Sequence, residues 1–210
     1  AVYTREETKA IVQMAVEHDL WILDDMIYST LVWNEGGYTS PCEFEGGSVR
    51  TVTIGGWSKG WAMTGWRLGW ITASPQVMDG VKKINVSSAT HVATFLMPAA
   101  ETALGLTQEL EVMNESFRNR RTVAHEAFSS LPGVVVPEPE GAFYILCDIT
   151  GTGMTDIEFA TLALEEAQVQ VIPGSLMKGG EGLIRVSYAT SLENIHEGVK
   201  RLKEWLENRT

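Results

Sequence analysis

The 210-residue chain is 44% hydrophobic and 20% charged, an ordinary globular composition with length for one large domain or two small ones. A formal net charge of -11 gives an average surface that repels nucleic acid and anionic membrane, while leaving room for a local cationic pocket. Apolar runs such as 92–100 are broken well before the about 20 residues a membrane span needs, and no secretory signal is read at the start. Cys42 and Cys147 make no CxxC pair, and His18, His91, His125 and His196 show no metal-ligand spacing, so neither a disulfide framework nor a metal is expected and a reducing cytoplasm is the default setting.

Thr4 and Glu7 have the spacing of a capping box, and Ile11, Val12, Ala15 and Val16 continue an apolar face, predicting a helix over 4–18. The run 20–23, ending at Asp24 and Asp25, predicts a buried parallel strand with acids at its carboxyl end. Runs 49–54, closed by Gly55 and Gly56, and 68–72, closed by Ser74 and Pro75, predict two more of the same kind, and Pro75 after Ser74 marks a helix start. Leu110, Met113, Phe117, Ala124, Phe128 and Leu131 recur at helical spacing, predicting a long amphipathic helix over 107–131 that stops at Pro132 and Gly133 and connects two domains, 1–106 and 107–210. Strands follow over 142–147 and 183–188, with a helix over 155–167 opened by a Thr155/Glu158 capping box and a closing helix carrying Ile195, Val199, Leu202 and Leu206. Alternating strands and helices make the fold class α/β.

Chemistry concentrates in the segment 55–70, GGWSKGWAMTGWRLGW, which sets Lys59 in a glycine-flanked, tryptophan-rich turn between two predicted strands. Burial favours the neutral form of a lysine, and a neutral amine is what attacks an aldehyde to form an imine. The bland alternative is a lysine whose stem covers the tryptophans while its head reaches water. Arg67 follows a turn of small residues that permits close approach of a ligand, and its fork suits a phosphate; a surface salt bridge is the alternative. Asp25 and Tyr28, separated by apolar Met26 and Ile27, can share one site at a strand's carboxyl end, where ligands of open α/β sheets collect. An aspartate there can hold a protonated heteroaromatic nitrogen and a phenol can donate to an adjacent oxygen, or Asp25 can simply cap a turn. Arg185, flanked by Ile184 and Val186, needs an anion, either a substrate carboxylate or an internal Asp or Glu. Trp33, Tyr38 and Tyr144 suit a pocket wall and core packing equally.

In order and spacing, Asp25-Met26-Ile27-Tyr28, Ser58-Lys59 with Ala62-Met63-Thr64-Gly65-Trp66-Arg67-Leu68-Gly69-Trp70, and Ile184-Arg185-Val186-Ser187-Tyr188-Ala189 after Val171-Ile172-Pro173-Gly174-Ser175 resemble the signatures of class I/II aminotransferases, the aspartate-aminotransferase-like enzymes of fold type I. The resemblance covers essentially the whole chain. It implies the C-terminal part of a large mixed-sheet cofactor domain followed by a smaller α+β domain, and pyridoxal 5'-phosphate as cofactor. It also implies that Lys59 is the Schiff-base lysine and proton shuttle, that Asp25 pairs with the pyridinium nitrogen, Tyr28 with the phenolic oxygen and Arg67 with the phosphate, and that Arg185 takes the substrate α-carboxylate. The activity implied is transfer of an amino group between an amino acid and a 2-oxo acid, by a homodimer when full length. Family members carry, before the region matched here, an Asn-Pro-x-x-Gly turn, a glycine-containing phosphate loop and an aromatic residue stacked on the cofactor. With Ala1-Val2-Tyr3 falling just after that turn, the expectation is a fragment of a longer enzyme, inactive by itself. A lyase on the same scaffold, and an aminotransferase-like ligand-sensing domain, are the alternatives.

Overall fold

The computed structural model describes residues 2–209; Ala1 and Thr210, the outer ends of the two expected domains, lie outside the described residues. The chain divides into two compact units, Ala1–Val112 and Met113–Thr210. The division falls inside the long helix rather than ahead of it.

In the first unit, α1 (Arg5–Glu17) opens on the expected box: Thr4 Oγ1 accepts from the Glu7 amide at 3.2 Å, and the Glu7 carboxylate accepts from the Thr4 amide at 2.7 Å. Two N–H groups that a helix start leaves unpaired are thereby satisfied. Thr8, Val12 and Ala15 form its buried face. β1 (Ile22–Asp25) follows, then the one-turn helix α2 (Gly47–Arg50) and β2 (Thr51–Gly56). Arg50 donates through Nη1 to the carbonyls of Ala15 (3.2 Å) and Leu20 (2.9 Å), tying the end of α1 to the entrance of β2. β3 (Gly69–Thr72), α3 (Pro75–Ser88) and α4 (Met97–Leu104) complete the unit. β1 runs parallel to β2 with Asp25 opposite Ile54, and β2 antiparallel to β3 with Gly56 opposite Gly69, giving a mixed sheet in the order β1-β2-β3.

Three expectations need correction here. β3 is antiparallel to β2, because a connection over 57–68 without a crossover helix returns the chain alongside itself. All four residues of β3 are exposed, and β1 alternates between half-buried and exposed, with Leu23 69% accessible. An apolar run specifies a strand without guaranteeing that both of its faces are covered. Val49 belongs to α2 and not to β2, so the run 49–54 is split between two elements.

α5 (Thr107–Ser129) leads into the second unit, which holds β4 (Tyr144–Asp148), α6 (Asp156–Ala167), β5 (Ile172–Pro173), β6 (Leu183–Ser187) and α7 (Leu192–Glu207). The sheet is antiparallel in the order β4-β6-β5. Alternation along β4 buries Ile145 and Cys147 and exposes Leu146. With Ile184 of β6 they meet Phe159 and Ala163 of α6, Leu202 and Leu206 of α7 and Phe128 of α5 in one apolar core. The edge-on contact of Phe159 with Trp205, centroids 5.1 Å apart, locks α6 to α7.

Candidate active site

Because β1 and β2 are parallel, both deliver their carboxyl ends to the same edge of the sheet. Met26 continues the ladder, its amide donating to the Ile54 carbonyl at 2.9 Å, so Asp25 is held one residue from the exit of the paired region. Strand alternation turns Asp24 and Asp25 to opposite faces. Asp24 is half-buried and accepts from the Tyr38 hydroxyl; burial raises its pKa, against the lowering effect of that hydrogen bond. Burial, with the neighbouring Asp24, likewise pushes the Tyr38 phenol up, so it stays a donor. Asp25 is exposed, with Oδ1 accepting from the Ile27 amide at 3.3 Å.

Beyond Asp25 the chain winds through two turns, Ser29 N–H to Met26 O (2.9 Å) and Leu31 N–H to Tyr28 O (2.8 Å), which leave Tyr28 half-buried. These turns lie directly against the exit of β2. A Cβ on Gly56 would stand 3.3 Å from Ile27 Cδ1, and one on Gly60 only 2.2 Å from Thr30 Oγ1. A side chain at position 60 would therefore have to displace the Thr30 side chain, so the two loops that carry Asp25, Tyr28 and Lys59 are in close contact here.

The Lys59 loop is braced at several points. Trp57 N–H donates to Leu68 O (3.3 Å) and Met63 N–H to Trp57 O (3.2 Å), and Lys59 itself opens a turn closed by Ala62 N–H to Lys59 O at 3.2 Å. The indole N–H groups of Trp57 and Trp61 donate to the carbonyls of Ala100 (3.1 Å) and Ala103 (2.9 Å), anchoring the loop to the last turns of α4. Lys59 is half-buried within this frame. At the far end of the loop Arg67 adopts a left-handed backbone (φ 55°), and its Nη1 donates to Thr64 O at 2.8 Å. Arg67 is exposed, and a Cβ at Gly65 would meet nothing within 4 Å.

Asp25, Tyr28 and Lys59 are thus carried on two touching loops, with Arg67 closing the second. Arg185 lies in the other unit, in the middle of β6 between Leu146 and Ile172, half-buried, its guanidinium 4.8 Å from the centre of the Tyr144 ring. The ring face stabilises the charge without using in-plane N–H donors, which a carboxylate would need. Tyr144 was not singled out for this role because its register against β6 is invisible before the strands pair. Thr30 was missed for the same reason; glycine at position 60 was the sole hint of its close neighbour.

Among the described residues no group of three or more His, Cys, Asp or Glu is placed to hold a metal ion, and no helix is long and apolar enough to cross a membrane. The donor set is that of an organic anion with a basic ring: one carboxylate, one phenol, one amine and one guanidinium. The residues fit a pyridoxal phosphate group in chemistry: Asp25, Tyr28 and Lys59 stand at or just past the carboxyl ends of β1 and β2, and Arg67 just before the amino end of the antiparallel β3.

Residues 1–202 match the model of the family described as aminotransferase class I and II. The chain is 37% identical to aromatic-amino-acid aminotransferase 2 of Thermococcus litoralis and 36% identical to an aspartate aminotransferase of Pyrococcus abyssi, covering 100% and 98% of itself and 54% of each relative. Among solved structures it superimposes on an aromatic aminotransferase from Pyrococcus horikoshii with a TM-score of 0.96 at 36% identity, covering 100% of this chain and 57% of that one. An aspartate aminotransferase from Thermus thermophilus with maleate gives 0.87 at 31% identity, over 97% of this chain and 53% of that one. The fold is that of the fold type I, aspartate-aminotransferase-like enzymes. The chain belongs to the class I and II aminotransferase family, and membership implies pyridoxal phosphate as cofactor. It spans about half the length of the curated relatives it matches.

Proposed function

We propose that the protein containing this chain is an aminotransferase that moves an amino group between an amino acid and a 2-oxo acid, with Lys59 as its catalytic residue. The reading rests on one observation above all: a carboxylate at the end of β1 and a half-buried lysine after β2 are carried on two loops that meet where Gly60 packs on the Thr30 side chain. When bound, pyridoxal phosphate supplies a sink for the electrons left behind as the substrate α-proton departs. Asp25 would hold a proton on the ring nitrogen, Tyr28 would donate to the ring oxygen, and the Arg67 fork would take the phosphate. Lys59 would hold the group through its amine. The same amine would serve as base and then acid for the proton of the substrate α-carbon. Arg185 receives the substrate α-carboxylate.

In this reading residues 1–106 are the remainder of the cofactor domain and 107–210 the connecting helix with the small domain. The working form is a cytoplasmic homodimer of the full-length chain. A single-turnover assay tests the reaction class: with one amino acid and no acceptor, transamination releases one 2-oxo acid per site and no ammonia. Continuous release of ammonia would replace the aminotransferase with a lyase on the same fold.

A further inference from the structure

Asp156 is a buried carboxylate, 5% accessible, with no part in the chemistry above. It occupies the first position of α6, where Thr155 and Glu158 already complete the capping box, so the helix does not require it as a cap. Its Oδ2 accepts from the Ser175 amide at 2.7 Å. Ser175 stands at the β5 end of the loop joining β5 to β6, and at the other end the Gly182 carbonyl accepts from the Ile149 amide at 3.0 Å.

The placement relative to Arg185 is symmetrical. Ile172 pairs with Arg185 across the β5–β6 ladder; Ser175 lies three residues beyond Ile172, and Gly182 three residues before Arg185. Within the loop, Met177 N–H donates to Gly174 O (2.7 Å), Gly180 N–H to Met177 O (3.0 Å) and Leu183 N–H to Gly180 O (3.0 Å). A Cβ on Gly174 would lie 2.1 Å from the Gly180 carbonyl, so the two arms of the loop are in backbone contact. The internal bonds give the loop its shape. The Ser175 amide is not spent inside the loop: it donates to Asp156 of α6.

We propose that Asp156 is a positioning residue: its carboxylate clips the β5 end of the 174–182 loop to α6 and thereby fixes the strand position from which Arg185 meets a substrate carboxylate. The binding half of this inference rests on the reading of Arg185 given above. A charged acceptor makes the stronger bond to that amide, which asparagine would keep only in its neutral form. Hydrogen bonds, those from the Ser175 side chain and backbone first, hold the Asp156 pKa below the usual carboxylate range.

The test compares Asp156→Ala and Asp156→Asn in the full-length protein, with Arg185→Gln as the control on the site. Three readouts are taken: hydrogen exchange of the 174–182 amides, the KM and kcat for the amino-acid substrate, and the absorbance of bound cofactor. The expected result for Asp156→Ala is exchange at least tenfold faster in that loop, KM raised about tenfold, kcat within a factor of three and an unchanged cofactor band; Asp156→Asn recovers part of both losses. Unchanged exchange in both variants overturns the clip. Faster exchange with KM unchanged, while Arg185→Gln raises KM, overturns the link from loop to site. An Arg185→Gln variant with unchanged KM removes Arg185 from substrate binding and the positioning role with it, leaving the exchange data to judge the clip alone.

Discussion

Asp24 and Asp25 are adjacent and chemically identical, yet strand geometry gives them unrelated tasks. Period-two alternation sends Asp24 to Tyr38 and Asp25 to the face where the Ile27 turn begins. Asp24 is a structural acid: half-buried, its charge tolerated because a phenol donates to it. Tyr38→Phe leaves that carboxylate without the donor, and a hydrogen bond to a half-exposed charged group is worth about 1 kcal/mol. Urea denaturation is expected to show a loss of that size with cofactor binding retained; loss of cofactor binding together with stability would move Asp24 and Tyr38 into the site. Cys147 illustrates the opposite case, an ionisable group used as a hydrophobe: burial pushes its thiol up to about 12, so it packs between β4 and the helices as a neutral side chain.

At the scale of elements, what the sequence disclosed depended on whether the signal was local. The capping boxes at Thr4/Glu7 and Thr155/Glu158 are readable because both partners sit within four residues, and each marks a helix start within one residue of the observed one. Substituting Thr4 by Ala is expected to lower the unfolding free energy by about 1 kcal/mol, measured by urea titration; an unchanged midpoint would mean that Arg50, bonded to the carbonyls of Ala15 and Leu20, suffices to hold α1. Non-local features were not readable. The direction of β3 depends on how the 57–68 loop closes on itself through Trp57 and Leu68, and β5 is only two residues long, visible once Ile172 and Pro173 find β6. The loop residues were legible as chemistry, since a lysine among glycines and tryptophans is unusual in any fold. Their bracing was not: the indole bonds to Ala100 and Ala103 span some forty residues of sequence. Arg185 was expected to face an acid or a substrate, and an aromatic ring next to it was outside both alternatives.

At the scale of the molecule, the chain is acidic on average. Against a formal charge of -11, Lys59 and Arg67 share one loop, a local concentration of positive charge on a surface that repels anions generally. The account as a whole stands on the covalent role of Lys59. Its most direct measurement is an absorbance scan of the full-length protein with pyridoxal phosphate, followed by borohydride reduction and peptide mapping, in wild type and in Lys59→Ala. The account predicts a visible band that reduction fixes to the peptide containing Lys59 and that Lys59→Ala lacks. A band retained in Lys59→Ala, or mapped to another lysine, would contradict it.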